Sequence, residues 1–556
     1  MRIIKLRSLT MCLLSLALLL HGCGSSHKDG SSADDVPAVS EALCASCHSS
    51  TVSTTTGDNI YNDFMASAHH TVPNAKAHYP DGIGCQGCHG GGSQHNGVGP
   101  IPYPDPSASG KCFGCHKNYL PVVHFRNMTA SSDAVSSAMY VTKNYENACT
   151  ACHDPHKADK GITTYHTEWA ESGHGDVNGA AWADEDFKTN ASCIRCHTAT
   201  GYINYVQSGY VLPTATWAAS DDKGREVLTC RACHTSYDFK NRVRPAAAYT
   251  APYNGNKNPV AYDDMSESNL CIACHTGRES GDSVNGISNF SNASFKNPHY
   301  LPAAAMLFSK SGFRYYTSAT KYTSVNSHSQ LGTASEPSNA ATGSTSGPCV
   351  TCHIGVSGKN THTFDALVVA SKTSSSGGCY GCHSGTVVAD EEESKAYFAR
   401  FMDFFQWQLE QRGIYYSSTY PYFYSDAAFT KPIKDWTKVG PTTDGARNMG
   451  AAFNFKFIAA EEGAHVHNRT FAKRLITDSI QYLQDGYTTY SYSASATGPN
   501  VGGQANPNDI IDFSGYAAYR PNFTYNGISV DIATLQKELL RNRTTTNPPS
   551  SLWYRR

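Results

Sequence analysis

The sequence predicts a mainly α-helical and irregular fold: short helices and loops gathered around something other than a continuous apolar core, closed by longer helices at the C-terminus. Three observations lead there. Eighteen of the 20 cysteines form nine C-x-x-C pairs, each followed at once by a histidine. The first seven pairs fall within the 232 residues from Cys44 to His275, about 33 residues each, too few for each module to close around its own core without a staple. From Val388 to Arg556 there is no cysteine, and apolar residues recur there at helical spacing. The 556 residues allow about three to four domains. With 40% apolar and 16% charged residues and a formal charge of −2, the chain reads as neither a polytopic membrane protein, a nucleic-acid binder nor an acidic disordered tail.

In chain order, Arg2, Lys5 and Arg7 precede an apolar run from Leu9 to Leu20. That is the pattern of a secretory signal, too short for a comfortable membrane span. The junction Leu20-His21-Gly22-Cys23-Gly24 resembles a bacterial lipobox, with Cys23 as the lipidated first residue of the mature chain and residues 1–22 removed. Residues 23–40, rich in Gly, Ser and Asp up to residue 36, read as a flexible tether.

The paired cysteines with their histidines are Cys44, Cys47 and His48; Cys85, Cys88 and His89; Cys112, Cys115 and His116; and Cys149, Cys152 and His153. They continue with Cys193, Cys196 and His197; Cys230, Cys233 and His234; Cys271, Cys274 and His275; Cys349, Cys352 and His353; and Cys379, Cys382 and His383. C-x-x-C-H is the attachment motif of c-type haem. Residues i and i+3 lie on one side of a helical turn, so two thioethers reach the two vinyl groups of one porphyrin and the next residue brings an imidazole beneath the iron. Zinc would join two C-x-x-C units and has no need of a histidine after each. Disulfides lack the leftover partners of a framework. The reading is nine covalent haems c, each with iron, and export suits it because c-type attachment takes place outside the cytoplasm.

The fold class is therefore that of a multihaem cytochrome c, mainly α/irregular, with the haems packed in a row. Residues 41–160 carry haems one to four, 161–285 haems five to seven and 286–387 haems eight and nine. Motif starts are separated unevenly, so this is recurrence without a solenoid period. Linker-like stretches at 331–347 and 371–378 flank motifs eight and nine. Residues 388–556 read as a haem-free helical cap. Glu391–Arg412 is helical, with Phe398, Phe401, Phe405 and Leu409 on one stripe, and Ala464–Leu483 is a second helix. Tyr487–Tyr492 reads as strand or aromatic loop.

Nine distal positions remain. Of 24 histidines nine are proximal, and His21 and His27 lie in the leader and tether, leaving thirteen. Bis-histidine ligation throughout is thus met by count, and methionine, which would raise the potential, is unnecessary. In Cys152-His153-Asp154-Pro155-His156 the proline ends the haem-binding turn and directs His156 to a neighbouring haem. His69, His174 and His95 are similar local donors. His299, His328 and His362 bracket motif eight, and His467 (or His465) heads a helix of the cap, for haem eight or nine. His124 completes the set, with His70, His78 and His166 as surplus.

With the nine motifs, the lipobox-like start, the stretch Asn297-Pro298-His299-Tyr300-Leu301-Pro302-Ala303-Ala304-Ala305 and the segment Ala464-His465-Val466-His467-Asn468, the chain resembles the outer-surface multihaem c-type cytochromes of metal-reducing bacteria. The resemblance implies an electron carrier, with terminal metal reductase activity left open, passing electrons to metal oxides, electrodes, partner cells, other c-type cytochromes or outer-membrane conduits. It leaves open a conductive homopolymer. A second class is a multihaem reductase of nitrite, hydroxylamine or a sulfur oxyanion. Nitrite reductases of that kind commonly carry a C-x-x-C-K motif, and this chain has none. Loss of Arg2, Lys5 and Arg7 takes the formal charge from −2 to −5. The haem propionates would carry it to about −14 oxidised and about −23 reduced, which favours cationic or metal-oxide partners over nucleic acid.

Overall fold

The computed structural model describes residues 36–52, 59–71, 83–95, 99–104, 168–176, 190–213, 227–234, 243–315, 327–337, 342–355, 360–372, 379–383, 387–486 and 511–540, with isolated positions between them, His156 among these. Helices dominate. The described strands are three two-residue antiparallel ladders, Thr250–Ala251 with Val260–Ala261, Tyr415–Tyr416 with Phe423–Tyr424, and Thr524–Tyr525 with Ile528–Ser529. The mainly helical and irregular class expected from the sequence is what is found. None of the described helices is long and apolar enough to cross a membrane.

The chain forms two compact units. The first holds residues 1–205 and 212–244, the second 206–211 and 245–556. The boundary drawn from the sequence at 285/286 falls inside the second unit, so motif seven shares a unit with motifs eight and nine.

In the first unit the motif helices are short, one to two turns each: α1 (Glu41–His48), α3 (Cys85–His89), α4 (Ala191–His197) and α5 (Cys230–Cys233), with α2 (Ile60–Ala66) between the first two. Each stops at or beside its histidine. In motif six the His234 N–H closes on the Cys230 carbonyl at 2.9 Å, one α-helical turn. The first two motif helices are tied together. Glu41 of α1 accepts the Cys85 N–H at 3.2 Å, capping α3. Gly84 permits this, since a Cβ there would lie 2.3 Å from Glu41 Oε1. Gln86 exchanges two hydrogen bonds with the Val39 backbone, at 2.8 and 2.6 Å. Val36 is buried and the Ser93 N–H reaches the Pro37 carbonyl. The segment expected as tether over 23–40 is therefore already packed from Val36 onward.

The second unit contains α6 (Asn269–Ile272), α7 (Ala303–Leu307), α8 (Pro348–His353) and α9 (Cys379–Cys382), then the long helices α10 (Val387–Glu410) and α11 (Gly445–Ala459), the short α12 (Ala464–His467), the long α13 (Arg469–Asp485), and finally α14 (Ile532–Leu540). The stripe read on α10 is buried: Phe401, Phe405 and Leu409 are fully enclosed and Phe398 nearly so. Ala464–Leu483 is two helices rather than one. Asn468 breaks the run with extended backbone, and its side chain caps α13 by accepting the Phe471 N–H at 3.1 Å. The unexpected helix is α11, capped by Asp444, whose carboxylate accepts the Arg447 N–H at 3.1 Å. It is buried nearly all round, so it carries no apolar/polar alternation. The core joins α10, α11, α13 and α14 with Val284, Ala305, Met306, Phe313 and Tyr315. It thus reaches back across the boundary expected at 387/388. Tyr487–Tyr492 lies outside the described residues.

Candidate haem sites

The local fold presents each described motif as the sequence requires, with its two cysteines on one helical turn and the histidine next. In motifs seven and nine the His275 and His383 N–H groups close on Cys271 and Cys379 at 3.0 and 2.8 Å. Cys112, Cys115, His116, Cys149, Cys152, His153, His124 and Cys23 lie outside the described residues, as does the side chain of Cys382.

Four of the described motif histidines face a second histidine. The ring centres of His48 and His95 are 6.1 Å apart with planes at 18°. His89 and His156 are 6.1 Å apart at 2°. His353 and His467 stand 6.0 Å apart at 52°, and His328 and His383 6.2 Å apart at 58°. The four separations are uniform although the pairs come from unrelated loops. An imidazole nitrogen sits about 2.0 Å from a first-row metal and about 1.1 Å from its own ring centre, so two imidazoles on opposite sides of one iron have centres about 6.2 Å apart.

The ring nitrogens agree with that spacing. His89, His328 and His353 donate Nδ1–H to the carbonyls of Tyr103, Val466 and Phe364 at 2.9, 2.8 and 2.8 Å, and His95 donates to Gly99. A carbonyl only accepts, so Nδ1 holds the proton and Nε2 keeps the lone pair a metal needs. Burial lowers the pKa of His328, His353 and His383, which keeps their rings neutral. His467 donates Nδ1–H to Glu461 Oε1 at 2.7 Å. Burial opposes its charged form, but the hydrogen bond and charge of Glu461 outweigh that and raise its pKa. His465, by contrast, uses Nε2 on Glu391 Oε1 at 3.0 Å.

Motif seven is buttressed by the two stretches singled out beside the motifs. His275 Nδ1–H donates to the Leu301 carbonyl at 3.1 Å, while the Leu301 N–H reaches Ala460 at 2.9 Å. Both bonds need the backbone of Leu301 in the left-handed region, φ 47°, beside His299 at φ 76°, conformations costly outside glycine. Asn468 ties α12 to this region through Leu307 and Ser309. His299 packs its ring against Tyr300, His362 against Phe364, and His69 Nδ1 lies 3.1 Å from the Pro155 carbonyl. His174 sits in a turn, its N–H on Ser172 Oγ at 3.3 Å.

Neighbouring motifs also approach one another. Cys349 lies within hydrogen-bonding reach of Cys271, joining motifs seven and eight. The seam beside them is sealed by Ser268, which takes the Val350 N–H at 3.1 Å and donates to Ser346 at 2.7 Å. Burial, and then the nearby Cys379 of motif nine, push the Cys352 thiol up to about 12. Among the described residues no three Cys, His, Asp or Glu side chains converge to hold a bare ion. Paired cysteines on a helical turn and imidazoles facing across about 6 Å are a donor set that fits haem c. Sequence reasoning missed the part played by Glu461, which is four residues from the nearest flagged histidine and in no motif.

No family model and no solved structure matches the chain. Curated relatives do. The chain is 24% identical to the C-type polyheme cytochrome OmcB of Geobacter sulfurreducens, in strain DL-1 / KN400 and in strain PCA alike, over 86% of this chain and 94% of the relative. To the C-type polyheme cytochrome OmcC of Geobacter sulfurreducens it is 23% identical, with the same coverage. That likeness runs along most of the chain and bears out the resemblance carried by its motifs, to the multihaem c-type cytochromes of metal-reducing bacteria.

Proposed function

We propose that this chain carries electrons through nine covalently held haems, as an exported lipoprotein on the outer membrane that hands them to other cytochromes or to metal oxides outside the cell. The observation that supports it is the set of four facing histidine pairs at 6.0–6.2 Å. Haem c supplies one-electron chemistry at its iron, at a potential set by its axial ligands and their surroundings. The chain's part is to fill both axial positions. His48 with His95 would serve haem one, His89 with His156 haem two, His353 with His467 haem eight, and His383 with His328 haem nine. A site closed on both faces by imidazole passes electrons and leaves no position for nitrite or hydroxylamine.

His156, three residues beyond motif four in sequence, faces the histidine of motif two. His95, just past motif two, faces motif one. Motif eight also packs beside motif seven, where the Val350 N–H donates to Ser268 Oγ at 3.1 Å. Export and anchoring rest on the basic, apolar leader and on Cys23, and the outward direction on the company the chain keeps by similarity.

Electron paramagnetic resonance of the oxidised holoprotein tests this reading. All the iron should be low-spin, in two classes. Near-parallel imidazole planes, 2° and 18°, split the iron d orbitals and give rhombic spectra. Planes at 52° and 58° leave them closer in energy and give larger anisotropy. A high-spin component equal to one haem that binds nitrite or hydroxylamine overturns the carrier reading in favour of the reductase.

A further inference from the structure

We infer that Glu461 holds the haem of motif eight at a lower reduction potential, by drawing the Nδ1 proton of His467 toward a buried carboxylate. This rests on the reading that His353 and His467 are the axial pair of that haem. Four of the facing rings, His89, His95, His328 and His353, give their Nδ1–H to neutral backbone carbonyls. His467 gives its own to a carboxylate at 2.7 Å.

Several features show that this contact is built rather than incidental. Glu461 is only 2% exposed. Its Oε1 accepts from His467 and from the Gly463 N–H at 3.1 Å, while its buried Oε2 has no hydrogen-bond partner among the described residues. A carboxylate kept in that state is costly. Glu461 also follows directly on the C-terminal end of α11, the negative end of a helix dipole, where a carboxylate is disfavoured. Stability alone gives no reason to put it there. Gly463 completes the arrangement. A Cβ at that position would lie 2.7 Å from His467 Cε1, 2.8 Å from Nδ1 and 3.0 Å from Glu461 Oε1, so the turn between the two residues must be side-chain-free for ring and carboxylate to meet.

The consequence follows from charge. A carboxylate on the outer nitrogen raises the basicity of the ligating one. A buried negative charge nearby also favours the oxidised iron, which carries one more positive charge than the reduced form. Both effects act in one direction. One electron enters or leaves, no bond is made or broken, and the proton stays between Nδ1 and Oε1.

The test is a potentiometric titration of the full-length holoprotein followed by electron paramagnetic resonance, comparing wild type with Glu461→Gln and Glu461→Asp. In Glu461→Gln one component of the large-anisotropy class should become about tenfold easier to reduce, a rise of about 59 mV for a one-electron couple. The remaining haems should be unmoved and all should stay low-spin. Glu461→Asp, which retains the charge, should shift less. Unmoved potentials in a Glu461→Gln protein with its full haem complement overturn the inference, as does an equal shift in both variants. His467→Ala separates the two layers. If it creates one high-spin haem while Glu461→Gln changes nothing, only the tuning fails. If it leaves every haem low-spin, the axial reading beneath it fails.

Discussion

At the residue scale, the two candidate histidines of the C-terminal part are resolved by which ring nitrogen each has to spare. His465 and His467 stand two residues apart in a four-residue helix and look equivalent in sequence. In the fold His465 is 7% exposed with Nε2 committed to Glu391, whereas His467 commits Nδ1 and faces His353. His467→Ala should therefore convert one haem from low to high spin, without loss of covalent haem, because the thioethers form independently of the distal ligand. His465→Ala should leave every haem low-spin and cost about 1 kcal/mol of stability for one lost hydrogen bond, since Lys395 still pairs with Glu391 at 3.0 Å. The opposite assignment of spin states would exchange their roles. The motif cysteines and the histidines after them stand out in the sequence because covalent attachment demands a fixed local spacing. For the distal positions the sequence offers candidates by count and no pairing. Nothing near His156 or His328 in sequence names motif two or motif nine as its counterpart, since those encounters depend on tertiary folding.

At the element scale, legibility followed periodicity. The stripe of phenylalanines marked α10 because one of its faces meets the core and the other does not. Helix α11 went unread because Gly445, Gly450, Asn448 and Asn454 punctuate a segment buried on almost every side, and a helix enclosed all round has no polar face to alternate with. Its one legible sign was Asp444, three residues before Arg447, in the place of an N-cap. The glycines are there for contact. A Cβ on Gly450 would lie 2.3 Å from the Phe313 ring, and Asn454 pins the Phe313 backbone from the same face, taking its N–H at 2.6 Å and donating to its carbonyl at 2.9 Å. Gly450→Ala gains up to about 1 kcal/mol of helix propensity but forces the ring aside, and overpacking of that kind costs about 1–3 kcal/mol. The variant should melt several degrees lower by circular dichroism with its haem count intact. A raised melting temperature would mean that Phe313 has room to move.

At the scale of the whole molecule, apolar packing is unevenly distributed among the described residues. A contiguous core of buried side chains runs from Val284 to Leu540, while the amino-terminal motifs are short turns linked by capping contacts such as Glu41 on α3 and Gln86 on Val39. On the proposed function, prosthetic groups would supply much of the interior of such a unit, as the allotment of about 33 residues per motif suggests. The full-length chain should therefore bind nine haems or fail to mature. Its surface charge, about −14 when oxidised with the propionates counted, would keep it soluble once released. On the proposed reading retention would fall to a lipidated Cys23, because several acyl chains anchor stably where one does not. In membrane fractionation, wild type should sediment with the outer membrane, and Cys23→Ser should move to the soluble or extracellular fraction. Pyridine haemochrome quantitation should give nine haems per chain in both. Six or fewer in mature protein would break the motif reading. Wild type found free in the medium as a polymer would replace the anchor with a filament, in which a histidine of one subunit ligates a haem of the next.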